Sequence, residues 1–308
     1  MATAQAPETY PGELNDVPGW FWPLDQLLFT WFLERQSARG LRGDLLELGA
    51  YLGKSAILLG HHRRPGERFT VCDLFGSEAP DQANRAESEQ SYASLTRQAF
   101  ERNYLSFHDT LPEIVHAPTS VITEEVEPGT CRFVHVDASH LYEHVRGDIA
   151  AARELLLPEG VVVLDDFRSE HTPGVSVAAW EAVLNHGLRP VCLSSQKLYG
   201  TWGDPGPVQE ELLDALRRRG DCSVSVQEAA GHRLVRARAK GMQPPPFPHS
   251  RHYAAPVPVP RPVPAARPAG TARARRLAVD LLPPLVTRAV RRHRAGRVRR
   301  TPGARTAS

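Results

Sequence analysis

The sequence predicts an α/β fold built on a largely parallel, doubly wound sheet, followed by a segment of different character. Three observations carry this. Short apolar runs recur along the first two hundred or so residues with helical segments between them, the pattern of successive βα units. Several runs end in a glycine turn or a carboxylate: "DLLELG", "FTVCD", "FVHVD" and "VVVLDD". Beyond about residue 240 proline and arginine take over, and 241–308 hold thirteen of the 27 prolines.

Taken in order, Leu24, Leu27, Leu28, Trp31 and Phe32 recur at helical spacing within 20–39 and the pattern closes at Gly40, which predicts a leading amphipathic helix. "GDLLELG" (43–49) reads as a buried strand, "SAILLGHHRR" as a helix, and "RFTVCDLFG" (68–76) as a second strand. The polar, acidic stretch 76–90 reads as a lid or a solvated loop, with a helix near 90–105 after it. Strands follow at 113–118, 131–137 and 160–167, with a helix over 142–156 between the last two and another at 175–186. "LRPVCLSS" and "KLYGTWG" predict a hairpin at a sheet edge, and "CSVSVQEA" with "HRLVRARA" are candidates for further strands. The folded domain is expected over 1–240 and a disordered Pro/Arg-rich basic tail over 241–308.

Charge divides the chain in the same way. Residues 251–308 carry fourteen Arg, no Lys and one acid, a net of +13, which leaves −11 on 1–250 within the overall +2. An anionic partner for the tail, lipid or nucleic acid, is the expectation this raises. Cys72, Cys131, Cys192 and Cys222 have no C-x-x-C spacing, which argues against a zinc site and for free thiols in a reducing compartment. The first twenty residues lack a basic n-region and an apolar h-region, and "FWPLDQLLFTWFL" is too short and too interrupted to span a bilayer, so a cytoplasmic protein is expected.

"ELGAYLGKSA" (47–56) is the most informative stretch. It ends like a phosphate-binding P-loop, but Gly49 and Gly53 are separated by three residues rather than four, and Glu47 would repel phosphate. A dinucleotide G-x-G-x-x-G would need glycine at position 47. A carboxylate and a tight glycine turn at a strand end suit a cationic ligand with an amino acid part, and S-adenosylmethionine (SAM) carries an ammonium and a sulfonium. Gly49 and Gly53 would let the backbone approach such a ligand, with Glu47 holding its methionine end directly or through the loop. Asp73, 24 residues after Gly49, stands where an acid accepts ribose hydroxyls.

"ELGAYLGKS", "VCDLFG" and "VDASHLYEHVRGDIAAARELLLPEGVVVLDDF" together resemble the signature segments of class I SAM-dependent methyltransferases, specifically the macrocin O-methyltransferase type, over roughly residues 15–205. The resemblance implies a Rossmann-like, seven-stranded-type sheet and methyl transfer to a hydroxyl of a small molecule, a sugar or a natural-product scaffold, in a chain that could be a homo-oligomer. It implies cofactor contacts from Glu47, Gly49, Tyr51, Gly53, Ser55, Asp73, Ser120 and Asp137. In the class I strand order Asp137, Asp165 and Asp166 converge at one sheet edge. Three such acids suit a hard cation, so Mg²⁺ is expected there. The D-x-x-H match makes His140 the general base. Trp20, Phe21 and Trp22 are expected mainly to pack in the core, with closure over the substrate as their second use. Two other classes stay open at this point: a P-loop-type nucleotide-binding protein, and a non-catalytic SAM-fold module recruited through the basic tail.

Overall fold

The computed structural model describes residues 10–78 and 95–255. Most of the polar loop 76–90 and the tail from 256 onward lie outside the described residues, as does the expected start of the helix near 90. The strands are β1 (Asp44–Leu48), β2 (Phe69–Cys72), β3 (Glu113–Val115), β4 (Cys131–Val136), β5 (Leu156–Leu164), β6 (Arg189–Leu193), β7 (Leu198–Thr201), β8 (Cys222–Ala229) and β9 (His232–Ala239). The helices are α1 (Pro23–Ala38), α2 (Lys54–His61), α3 (Arg97–Phe107), α4 (Ile122–Glu125), α5 (Tyr142–Leu155), α6 (Pro173–Asn185) and α7 (Gly206–Arg217).

They form one sheet in the order β3-β2-β1-β4-β5-β7-β6-β9-β8. Neighbours from β3 to β5 are parallel, and β7 runs antiparallel to both β5 and β6. The order reverses between β1 and β4, and that switch opens a crevice at the carboxyl ends of the strands. The fold is Rossmann-like and doubly wound. The central strands are apolar on both faces because helices cover both. On one side Leu45, Phe133 and Val163 pack with Phe29 and Phe32 of α1, Ile57 of α2 and Phe100 of α3. On the other, Leu46, Val134 and Val162 pack with Val145 and Ile149 of α5 and Val175 and Ala179 of α6.

Two expectations change. The hairpin β6–β7 is internal, because β9 pairs in parallel with β6 and leaves β8 as the edge. Residues 241–254, assigned to the tail on composition, are attached to the body. Ser250 donates its N–H to Gly12 O and its hydroxyl to Pro11 O, and Arg251 donates to Ser106 O. Phe247 packs against the core beside His61 and Phe107, and Tyr10 stacks on His252. The segment is a strap tied to the body, which composition does not distinguish from disorder.

Candidate functional site

The carboxyl ends of β2, β4 and β5 each carry an acid. Asp73 N donates to Val115 O, Asp137 N to Leu48 O and Asp165 N to Val136 O, so each residue is held by one further rung of the ladder beyond its strand. Between them lies the turn after β1. Gly49 has φ +80°, and a Cβ there would stand 2.1 Å from Asp137 O. Only glycine lets this turn pass so close to β4. The turn is closed by Asp73, whose Oδ2 accepts from Ala50 N (2.7 Å) and Tyr51 N (3.1 Å) while Oδ1 accepts from Phe75 N (2.6 Å).

This edge opens into a cavity of about 1450 Å³. The volume exceeds that of a typical small-molecule pocket and leaves room for two ligands side by side. Gly49, Tyr51, Ser55, Asp73 and Ser120 line it, and so do Asp137, His140, Asp165 and Asp166. Glu47 and Gly53 do not. Gly53 takes the left-handed turn at the start of α2, with φ +92°, against the Phe100 ring. Glu47 is wholly buried on the α1 face of the sheet, where its Oε1 pairs with His135 Nδ1 at 2.8 Å. Burial pushes its carboxyl up to about 8, against the opposing pull of the Ser55 hydroxyl and the Lys197 charge. Lys54, the lysine of the P-loop-like run, donates to Gly19 O at 3.1 Å and ties down the segment before α1.

His140 and Asp166 meet across the cavity. His140 Nε2 lies 3.0 Å from Asp166 Oδ2, and Ser169 Oγ donates to Asp166 Oδ1 at 2.6 Å. Asp166 itself sits at φ +50°, a conformation costly for a residue with a Cβ, held by its N–H donating to Asp165 Oδ1 at 2.7 Å. Burial works against its charge, but the bonds from His140 and Ser169 outweigh that and hold the carboxyl at about 2. An imidazole oriented by an ionised carboxylate is a general-base arrangement.

Sequence reasoning missed four buried groups. Lys197 is 1% exposed and forms an ion pair with Asp165 Oδ2, with its Nζ 3.2 Å from His135 Nε2. Asp25 of α1 accepts from Tyr199 OH at 2.7 Å. Asp148 of α5 lines the cavity, and its Oδ2 is buried without a hydrogen-bond partner among the described residues, while burial pushes the carboxyl up to about 6. His135 had a signal: a polar residue inside an apolar parallel strand requires a partner.

The expected Mg²⁺ set fits these residues poorly. Asp165 is already paired with the Lys197 ammonium, and among the described residues the ligand atoms that cluster within 4.8 Å are His135, Asp137 and Asp165, or Asp137, His140 and Asp166. Each set includes a histidine that is already engaged, whereas Mg²⁺ selects oxygen. Trp20 and Trp22 are also corrected. They are 64% and 51% exposed on the cavity rim, and only Phe21 between them is buried.

Residues 46–167 match the model of a family described as "Methyltransferase domain". No curated protein matches the chain. Among solved structures the chain is similar to the O-methyltransferase NovP, at 17% identity over 58% of this chain and 81% of that one, with a TM-score of 0.48. It is similar to CalS11, a TDP-rhamnose 3'-O-methyltransferase of calicheamicin biosynthesis, at 17% identity over 62% and 86%, TM-score 0.40. A third is the O-methyltransferase TomG from Streptomyces achromogenes, at 20% identity over 71% and 79%, TM-score 0.32.

Proposed function

From a methyltransferase domain over residues 46–167 we infer that this chain is a SAM-dependent O-methyltransferase acting on a hydroxyl of a small ring-bearing acceptor, a sugar or a natural-product scaffold. The observation that carries the reading is the His140–Asp166 pair opening into the same cavity as the Gly49 turn and Asp73.

The residues suit SAM. The Gly49 turn leaves no side chain between backbone and ligand, and Asp73, held ready by three N–H groups, faces the cavity where ribose hydroxyls would be accepted. Asp148 and Ser120 line the same cavity. SAM supplies a methyl group whose bond to sulfur breaks with its electron pair, leaving S-adenosylhomocysteine (SAH).

A hydroxyl attacks poorly while it keeps its proton. His140, with Nε2–H directed at Asp166, takes that proton on Nδ1, and the Asp166 carboxylate stabilises the resulting imidazolium. The new O–CH₃ bond forms from the oxygen pair so released. Trp20 and Trp22 offer exposed ring faces at the rim, and Trp20 lies 5.6 Å from the Tyr51 ring. Such faces suit the C–H face of a sugar or a planar scaffold. Mg²⁺ has no step in this scheme.

Titration calorimetry with SAH and with ATP tests the cofactor, and a hydroxylated-acceptor screen with labelled SAM tests the reaction. SAH binding with label transfer to oxygen is expected. ATP binding in place of SAH would overturn the reading, and SAH binding with no transfer to any acceptor would reduce the chain to a SAM-fold module.

A further inference from the structure

The cavity floor holds a cation that the scheme above does not use. In the antiparallel pairing of β5 and β7, Leu164 faces Leu198, so the next residue out on each strand brings Asp165 and Lys197 opposite each other. The turn before β7 fixes the lysine. Ser194 Oγ accepts from Lys197 N at 2.9 Å, and Ser194 N donates to Lys197 O at 3.0 Å. The side chain runs inward past the faces of Phe21 and Phe29, with Nζ 5.8 and 6.0 Å from their centroids. It ends on Asp165 Oδ2 and beside His135 Nε2. An ammonium this deeply enclosed is retained only when it is paired.

Asp165 passes the constraint on. With Oδ2 on Lys197, its Oδ1 accepts the Asp166 N–H, the bond that holds Asp166 in its left-handed conformation. Asp166 in turn faces His140. The order Lys197, Asp165, Asp166, His140 is therefore continuous, and its first member carries the positive charge that three converging carboxylates require. A divalent cation placed among Asp137, Asp165 and Asp166 would have to displace that ammonium or sit against it.

We propose that Lys197 is a positioning residue that takes the place of a divalent cation: it balances Asp165 and, through Asp165 and Asp166, sets the orientation of His140, so that methyl transfer proceeds without a metal. The role of His140 and the methyl transfer itself rest on the O-methyltransferase reading; the place of Lys197 where a divalent cation would sit does not.

The test uses the full chain, stripped of metal, with Mn²⁺ as probe and free Mn²⁺ followed by electron paramagnetic resonance. The wild type is expected to bind Mn²⁺ no better than loosely, with and without SAH. Lys197→Met is expected to bind it roughly tenfold or more tightly, and the added Asp165→Asn to abolish that gain. The ¹⁵N resonances of the His140 ring, assigned with His140→Gln, should move in Lys197→Met and be retained in Lys197→Arg, a response that a packing role alone would not give. Stoichiometric Mn²⁺ binding by the wild type, lost in Asp166→Asn, overturns the proposal, and this arm decides even if Lys197→Met fails to fold. Failure of SAH to bind in calorimetry is a separate result that would sink the methyltransferase reading and leave the Lys197 assignment standing.

Discussion

Glu47→Gln separates two uses of the acid in "ELG". The carboxyl is fully enclosed, and burial lifts it from an ordinary 4.5 to about 8. The folded state therefore holds a proton that the unfolded state releases above pH 4.5, and wild-type stability falls as pH rises from there to about 8. With about 1.4 kcal/mol per pH unit, the cost of keeping this group is about 3 kcal/mol at pH 7. Glutamine is neutral at every pH and keeps the acceptor for His135 Nδ1, 2.8 Å from Oε1 in the wild type. After about 1 kcal/mol for an imperfect replacement hydrogen bond, Glu47→Gln should be more stable than wild type by about 2 kcal/mol at pH 7. Near pH 4.5, where the wild type bears almost none of that cost, the order should reverse, with the variant less stable by up to about 1 kcal/mol. Urea unfolding at pH 4.5, 7 and 8.5 measures this, and SAH calorimetry on the same proteins should give equal affinities, since Glu47 does not line the cavity. A variant less stable than wild type at pH 7, with an unchanged pH slope, would mean that Glu47 is ionised in the fold. A tenfold or larger loss of SAH affinity, roughly 1.4 kcal/mol, would return it to the cofactor site.

Other outcomes are expected as follows. Asp73→Ala removes the acceptor of three backbone N–H bonds, so it should weaken SAH binding by about 1 to 3 kcal/mol and lower stability as well, read by calorimetry and urea unfolding. A change in neither would take Asp73 out of the site. Asp166→Asn should lower kcat by roughly a hundredfold or more, with SAH affinity unchanged. Because the Asp166 carboxyl is depressed to about 2, its stabilisation is present above the unfolded-state pKa and disappears as pH falls through the folded value; a variant that loses no stability at pH 7 would contradict the hydrogen bonds from His140 and Ser169 that hold it. Trp20→Ala and Trp22→Ala should raise KM for a ring-bearing acceptor several-fold while sparing SAH binding. Truncation after residue 255 should leave the melting temperature unchanged, whereas truncation after 241 removes Phe247, Ser250 and Arg251 from the body and should lower it by several degrees. Equal melting temperatures would show that the strap adds no stability.

What the sequence could disclose depended on how local the signal was. Unbroken apolar runs such as "VVVL" in β5 announce strands covered on both faces, and glycine at 49 announces a turn that a side chain would obstruct, with a Cβ 2.1 Å from Asp137 O. The direction of Glu47 was available too, though it needed two strands at once. In β1, Glu47 has the parity of Leu45, and in β4, His135 has the parity of Phe133; those apolar neighbours pack on the α1 face, and Glu47 is in register with His135. Two polar groups side by side on a buried face satisfy each other, which draws the acid away from the crevice. Lys197 offered no such clue. Its partner lies 32 residues earlier in sequence, on a strand that becomes its neighbour only because β7 inserts between β5 and β6, and a lysine ahead of "LYGT" reads as an ordinary solvated turn residue. The sign of charge at the cavity floor therefore depends on topology rather than on any motif. A count of acids in "VD" and "LDD" alone leads to a metal, and the strand order sets an ammonium against one of those acids.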